Sequence, residues 1–148
     1  MWKMEKVIPR PEEFKVEELI PVRWSDMDAI GHVNNSRYLT FCEMSNFAWF
    51  EKVAPGQALD RAPVFPVMAH TECDFLRSIV FPATIRVYNR AVRAGRSSLV
   101  LEYLIRDADE DVNYAVVRST LVFIERESKK SSPIPEDVRE RIRELDGI

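Results

Sequence analysis

A polar segment of the sequence lies directly ahead of its most apolar one. Residues 26–35 read DMDAIGHVNN, and the run that follows, 36–53, contains neither glycine nor proline. A carboxylate such as Asp28, a few residues before a helix, can attack a carbonyl carbon or activate a water molecule. Free amide hydrogens and the positive dipole end at a helix start stabilise negative charge on a carbonyl oxygen. Two interpretations of Asp28 therefore stay open: a group that acts at a carbonyl, or a loop carboxylate that compensates the helix dipole.

Residues 36–53 are predicted to form the helix that positions this polar segment. Apolar side chains recur at helical spacing and fill much of the other side as well, while the charges lie toward the two ends. A helix that is apolar nearly all round must be buried nearly all round. Asn34, Asn35 and Ser36 are all good N-cap residues, and Pro55 cannot continue the helix. Within it, Glu43 is expected to be a structural partner of Arg37 or of the preceding loop.

Strand patterns lie on both sides of the helix. Residues 14–24 read as one strand, with Pro21 near an edge or a bulge, and four β-rich runs follow the helix. Those four runs are residues 67–76, 84–92, 97–107 and 113–125. The short RAGR link after the second of them predicts an antiparallel hairpin. The fold class is therefore α+β, with a five-stranded antiparallel sheet wrapped around a long central helix. One such sheet cannot cover the helix completely, which predicts a partner subunit related by two-fold symmetry.

Length and composition indicate one globular domain that is not specialised for binding polyanions. The 148 residues suggest an N-terminal arm at 1–13, the domain at 14–128, and a linker with a short helix at 129–148. Pro135 suits the first turn of that helix. The net charge of −3 argues against broad binding to nucleic acid or an anionic membrane. Neither a signal peptide nor a membrane-spanning run is evident, so we expect a cytoplasmic protein.

The cysteines and the acidic residues do not form a recognisable metal-binding pattern. Cys42 and Cys73 belong to no C-x-x-C pair and are expected to be reduced thiols in the core. The spacing of Asp26, Asp28 and His32 matches neither an EF-hand loop nor an H-E-x-x-H helix. We therefore expect no metal.

The polar segment resembles the signature of a known enzyme family. The pattern D-x-D-x-x-G-H-V-N-N-x-x-Y is complete from Asp26 to Tyr38, and it resembles that of hotdog-fold acyl-CoA thioesterases of the 4-hydroxybenzoyl-CoA thioesterase family. DFLRSIVFPATIRV and RAGRSSLVLEY look like later strands of that family, so the resemblance spans roughly residues 16–126. It implies a hotdog fold and a hydrolase that converts an acyl-CoA and water into a carboxylic acid and CoA. It also implies a homodimer or homotetramer and no cofactor, since CoA is part of the substrate.

The resemblance also implies catalytic roles for two residues. Asp28 matches the catalytic carboxylate, which is described in that family either as a nucleophile that forms a mixed anhydride or as a general base. The backbone amide that holds the thioester carbonyl maps to Asn35. Asp26 is more simply explained as a side chain that holds the loop by hydrogen bonds to backbone amides. The side chains of Asn34 and Asn35 are explained by helix capping alone.

Several further residues are candidates for substrate binding. His32 can contact substrate or order the loop, and Tyr38 can line an acyl pocket or belong to the core. The phosphates of CoA prefer arginine and lysine on an accessible rim. Two clusters qualify: Arg90, Arg93 and Arg96 at the RAGR turn, and Arg126, Lys129 and Lys130 after the last strand. Each cluster can equally be a solvated strand end.

Two other functions stay open beside thioester hydrolysis. A hotdog hydratase or dehydratase would act on an enoyl-CoA, but its characteristic Asp and His motif is not found. A binding or sensing module would hold acyl-CoA without turnover, and known sensing versions carry a DNA-binding segment that does not fit the residues before Phe14. The sequence does not define the acyl group.

Overall fold

The structure, a computed structural model, describes residues 7–148 as a curved antiparallel sheet that holds one long helix. The five strands are β1 (Val16–Pro21), β2 (Val64–Phe75), β3 (Thr84–Ala94), β4 (Ser98–Asp107) and β5 (Asn113–Glu125). The helices are α1 (Asn35–Val53) and α2 (Glu136–Asp146). The sheet order is β1-β3-β4-β5-β2, with every neighbouring pair antiparallel. This confirms the predicted α+β hotdog fold.

The strands form where apolar and polar residues alternate. On β4 the inward side chains are fully buried, with 0% exposure at Leu99, Leu101, Tyr103 and Ile105. The RAGR link is a tight hairpin between β3 and β4, as predicted, and the Gly95 amide donates to the Ser98 carbonyl at 2.8 Å. Strand β1 begins two residues later than the predicted strand, and Pro21 ends it at an edge of the sheet, where a missing amide hydrogen is tolerated.

Helix α1 begins and ends close to the predicted residues. Asn34 is the N-cap, and its side chain accepts a hydrogen bond from the Ser36 amide at 3.0 Å. The side of the helix that faces the sheet is buried, with Trp49 at 0% exposure. The opposite side is open in the single chain: Phe47 is 69% exposed and Met44 is 44% exposed. The sheet reaches only one side of the helix, as expected for a single chain, and burial nearly all round stays a prediction that requires a partner subunit.

The described part of the N-terminal arm covers the outer face of the sheet. Residues 1–6 of the predicted arm lie outside the described residues, and Pro11–Glu13 form one 3-10 turn. Phe14 then packs with Leu104, Val116 and Tyr88 in a second apolar cluster. Beside that cluster, the buried carboxylate of Glu102 accepts hydrogen bonds from Arg90 at 2.7 Å and Arg118 at 2.6 Å. The outer face is thus closed by an apolar cluster and a buried ion triad.

Helix α2 packs against both α1 and β3. Val138 and Ile142 form a buried apolar stripe on this helix, and Leu145 packs against the core. Pro135 is the N-cap and so lies just before the first turn. At the other end of α2, the Asp146 carboxylate accepts hydrogen bonds from Trp49 Nε1 at 2.9 Å and from the Ala91 amide at 2.8 Å. Neither α2 nor any other helix within residues 7–148 is long and apolar enough to span a bilayer.

Candidate active site

Asp26 holds the loop that leads into α1. Its side chain is 2% exposed and accepts hydrogen bonds from the Arg23 amide at 2.8 Å and the Arg23 guanidinium at 3.1 Å, and Arg37 lies 3.5 Å away. Its own carbonyl accepts from the Asn34 amide at 2.9 Å. Burial raises the pKa of the Asp26 carboxyl, but the hydrogen bonds and charges of the arginines outweigh that effect and leave the pKa below its usual value. This confirms the predicted structural role of Asp26. Arg37 pairs with Asp26, rather than with Glu43, which was one of its two expected partners.

Asp28 begins a tight turn that returns the chain to the helix. Its amide donates to the His32 carbonyl at 2.9 Å, and its carbonyl accepts from the Gly31 amide at 3.1 Å. Gly31 has φ of 88°, a conformation that glycine adopts without steric cost. One oxygen of the Asp28 carboxylate accepts from the Ile30 amide at 2.9 Å, while the other accepts no hydrogen bond from residues 7–148. The turn therefore fixes the carboxylate and leaves one of its oxygens available.

The first turn of α1 leaves an unused amide hydrogen at Asn35. The Asn34 side chain is occupied by the Ser36 amide and hydroxyl, at 3.0 and 2.7 Å. The Arg37 amide donates to the Asn34 carbonyl at 3.0 Å. Within the described part of the chain the Asn35 amide has no acceptor, as expected for a first-turn position of a helix. It is a free donor at the positive end of the helix dipole.

One cleft brings these groups together. A space of about 310 Å³ is lined by Asp28, His32, Asn35 and Tyr38 on one wall and by residues 75–78 on the other. The Val33 amide donates to the Ile79 carbonyl at 2.8 Å and so joins the two walls. Asp28 and Asn35, which carry a free carboxylate oxygen and a free amide hydrogen, therefore line the same small volume, which can hold a carbonyl group and its attacking atom.

Tyr38 forms the aromatic floor of this cleft. Its ring meets the Phe75 ring edge-on, with centroids 4.9 Å apart, and the residue is 3% exposed. Burial raises the pKa of the Tyr38 hydroxyl, although a hydrogen bond with the Ile79 backbone partly opposes the increase. The hydroxyl is therefore neutral near pH 7 and able to donate a hydrogen bond.

Arg93 and Arg96 lie elsewhere in the same chain. Across the sheet, Arg93 of β3 is aligned through Val100 of β4 with Thr120 of β5. Phe75, at the cleft, pairs with Ala115 of β5. Residues 115 and 120 of β5 are about 17 Å apart along the strand, at roughly 3.4 Å per residue. Arg96 is in the hairpin at that far end, where its carbonyl accepts hydrogen bonds from the C-terminal segment. The single chain does not bring these two arginines to the cleft.

Sequence reasoning missed the wall formed by Phe75, Leu76, Arg77 and Ser78. The sequence pattern places this segment, within DFLRSIVF, at the end of a strand. A local pattern does not relate the end of a strand to a helix start far away in the sequence. The available signal was Arg77, a single cation between two apolar stretches. Glu43, in contrast, lines a second and larger cleft of about 390 Å³ on the exposed side of α1, together with Leu39 and Phe47.

The remaining candidate ligands do not gather at the cleft. Within residues 7–148, no group of three or more His, Cys, Asp and Glu side chains is arranged to hold a metal ion. Cys42 and Cys73 are free thiols. Burial raises the pKa of the Cys42 thiol and raises the pKa of Cys73 to about 11, so neither is a thiolate nucleophile near pH 7.

Comparison with known proteins gives a consistent picture. The family model described as the thioesterase-like superfamily matches residues 22–142. A thioesterase from Thermus thermophilus, solved with coenzyme A and Zn, is 36% identical with a TM-score of 0.79, covering 93% of this chain and 98% of that one. The PA5185 protein of Pseudomonas aeruginosa is 29% identical with a TM-score of 0.82, covering 93% and 96%. The uncharacterised protein YsmA of Bacillus subtilis is 27% identical over 83% of this chain and 82% of its own length.

Proposed function

This chain belongs to the thioesterase-like superfamily, and we propose that it is an acyl-CoA thioesterase that hydrolyses an acyl-CoA to a carboxylic acid and CoA. The observation that carries the proposal is the cleft that Asp28 and Asn35 both line, since one carboxylate oxygen of Asp28 accepts no hydrogen bond and the Asn35 amide has no acceptor within residues 7–148. The similarity to a thioesterase solved with coenzyme A supports the choice of substrate. The proposed reaction uses no metal or other cofactor.

Asp28 initiates the reaction in this proposal. As a general base it takes a proton from water, whose oxygen adds to the thioester carbon, and as a nucleophile its own oxygen adds there. In either route the carbon–sulfur bond breaks and the thiolate leaves, taking a proton from the protonated Asp28 in the first route and from water in the second. The second route passes through a mixed anhydride that water then hydrolyses. The hydrogen bond from the Ile30 amide at 2.9 Å holds one carboxylate oxygen, so the other is aimed consistently.

The Asn35 amide stabilises the oxyanion that forms in either route. Donors fixed before the reaction are effective because they need no reorganisation when charge develops on the carbonyl oxygen. The hydrogen bonds made by Asn34 and Asp26 hold the helix start in place and thus keep this donor fixed. The motif's resemblance to the 4-hydroxybenzoyl-CoA thioesterases assigns the same two roles. His32 and Tyr38 line the cleft and would contact the substrate beside the reacting carbonyl.

We place the binding site for the CoA nucleotide between two subunits of a homodimer. A homotetramer would contain the same dimer. Strand β2 is an edge of the sheet and the adjacent side of α1 exposes Phe47, so a second copy would cover apolar surface there. Antiparallel pairing of two β2 strands would set the far end of one sheet beside the cleft of the other. Arg93 and Arg96 of one copy would then lie toward the cleft of its partner, where they could bind phosphates.

Release of free thiol tests the proposal directly. Acyl-CoA thioesters of increasing chain length are incubated with the protein, and CoA is measured with a thiol reagent. Thiol release supports a thioesterase, water addition to an enoyl-CoA without thiol release supports a hydratase, and binding without either supports a binding module. We expect Asp28→Asn to lose most of the activity and keep its fold.

Asp60→Asn is the matched control for that variant. Asp60 is an exposed aspartate whose side chain is 74% exposed and pairs only with Arg61 among the described residues, so the same chemical change there should leave the rate unchanged. If Asp28→Asn turns over acyl-CoA as fast as the parent, the assignment of Asp28 is wrong.

A further inference from the structure

Arg77 is fixed to the wall of the cleft that faces Asp28. The backbone amides of Leu76 and Arg77 both donate to the Tyr114 carbonyl, at 2.8 and 3.2 Å. Two residues later, the Ile79 carbonyl accepts from Val33 and Ile79 itself is 0% exposed. The guanidinium is therefore carried by a segment that is held on both sides, and Arg77 lines the same volume of about 310 Å³ as Asp28.

Arg77 lies close enough to Tyr114 for its charge to act on that hydroxyl, but it has no carboxylate partner within the described chain. Neighbouring arginines of the sheet are paired with carboxylates: Arg90 and Arg118 with Glu102, and Arg86 with Glu17. Arg77 makes no ion pair with any carboxylate of residues 7–148. A guanidinium keeps its charge at any physiological pH and presents a planar set of donors that fits a carboxylate. It is thus an unpaired anion-binding group at the reaction site.

The phosphates of CoA are poor candidates for this group. In CoA the whole pantetheine arm separates the sulfur from the nearest phosphate, so a thioester held in this cleft places the phosphates many bonds away from it. A thioester placed between Asp28 and the Asn35 amide brings the acyl group, rather than the phosphates, within reach of Arg77. Phe75 and Leu76 beside it offer apolar surface to the methylene part of that acyl group.

We propose that Arg77 is a specificity-determining residue that binds a carboxylate on the acyl group, so that the preferred substrates are short dicarboxylic acyl-CoA thioesters. This inference rests on the proposed thioesterase function. Phe75 and Leu76 contact the methylene chain, and the guanidinium of Arg77 forms a bidentate pair with the terminal carboxylate. Asp28 and Asn35 act on the thioester carbonyl at the opposite end of the acyl chain.

The test compares glutaryl-CoA with pentanoyl-CoA, which differ only by a carboxylate in place of the terminal methyl group. The parent protein is expected to show a higher kcat/KM for glutaryl-CoA. In Arg77→Met the ratio of the two kcat/KM values should fall about ten- to a hundred-fold, the range for loss of a charge-assisted hydrogen bond, and Arg77→Lys should restore part of it. Arg61→Met, at a residue whose side chain is 85% exposed and outside this cleft, is the matched control and should keep the parent ratio.

Three outcomes overturn the inference. Arg77→Met can lower both kcat/KM values equally, which would assign Arg77 to the CoA portion. The second outcome is that Arg77→Met changes neither kcat/KM value. The third is that the parent protein has the higher kcat/KM for pentanoyl-CoA. If the parent hydrolyses neither thioester, the proposed function fails, and calorimetric binding of both thioesters to the parent and to Arg77→Met decides about Arg77 separately. Equal affinities of the parent for the two thioesters would then refute carboxylate binding.

Discussion

Replacing Asn35 by proline should remove the oxyanion donor without disturbing the helix. Asn35 is the first helical residue of α1, a position that proline favours because its amide makes no intrahelical bond. The residue before a proline must be extended, and Asn34 already has φ −62° and ψ 141°. The Asn35 amide has no acceptor within residues 7–148, so no hydrogen bond of the described fold is lost. The substitution therefore removes the amide hydrogen and exchanges the carboxamide side chain for a ring, while the backbone hydrogen bonds of the fold are kept.

The expected effect is large on the rate and small on stability. Loss of one oxyanion donor raises the barrier by about 3 to 4 kcal/mol, which lowers kcat by roughly a hundred- to a thousand-fold. The free energy of unfolding should change by less than about 1 kcal/mol, since the first turn tolerates proline. Steady-state thioester hydrolysis measures the first quantity and urea denaturation the second.

Asn35→Ala is the control that separates the amide from the side chain. It keeps the backbone N–H, and the Asn35 side chain makes no hydrogen bond with residues 7–148, so kcat should stay within a few-fold of the parent. A proline ring that merely obstructs the cleft would raise KM and leave kcat unchanged. If Asn35→Pro is folded and retains the parent kcat, the amide is not the oxyanion donor.

Three other substitutions test the surroundings of the site. Asp26→Asn should destabilise the fold by about 1 to 3 kcal/mol in urea denaturation, because the buried carboxylate accepts charge-assisted hydrogen bonds. Because the pKa of Asp26 is lowered by folding, its contribution is present above the unfolded pKa and is lost as the pH falls below about 4, so the variant should lose less stability in acid than the parent. Asp146→Ala should cost about 1 to 3 kcal/mol, since it removes the acceptor of both the Trp49 indole and the Ala91 amide; an unchanged melting temperature would contradict this. Phe47→Glu should shift the protein to monomers in light scattering if the open side of α1 is the subunit interface, and an unchanged mass would refute that interface.

Much of the fold could be predicted from local patterns, because burial imposes a period on the sequence. The β-rich run 97–107 predicted β4 within one residue, and the N-cap residues near Asn34 predicted the start of α1 within one residue. The extent of burial around α1 could not be predicted in this way. Periodicity reports that Phe47 is apolar, and it does not report whether the same chain or another copy covers it.

The candidate site was predicted on one wall only. Asp28, His32, Asn35 and Tyr38 are close in sequence, so a motif brings them together by construction. Arg77 reaches the cleft through the position of β2 at the sheet edge and the bend that follows it, which depend on long-range strand pairing. The prediction that Arg93 and Arg96 bind the CoA phosphates rests on their charge alone. Charge does not specify which end of the sheet a hairpin occupies.

The hydrogen bond from the Val33 amide to the Ile79 carbonyl, 2.8 Å long, sets the width of the cleft. One wall cannot move away from the other without breaking this buried bond, which costs about 1 kcal/mol or more. The width of the cleft is therefore restrained. We expect the turnover rate to depend more on the width of the acyl chain than on its length. Branching next to the thioester carbonyl should therefore slow turnover more than added methylene groups do.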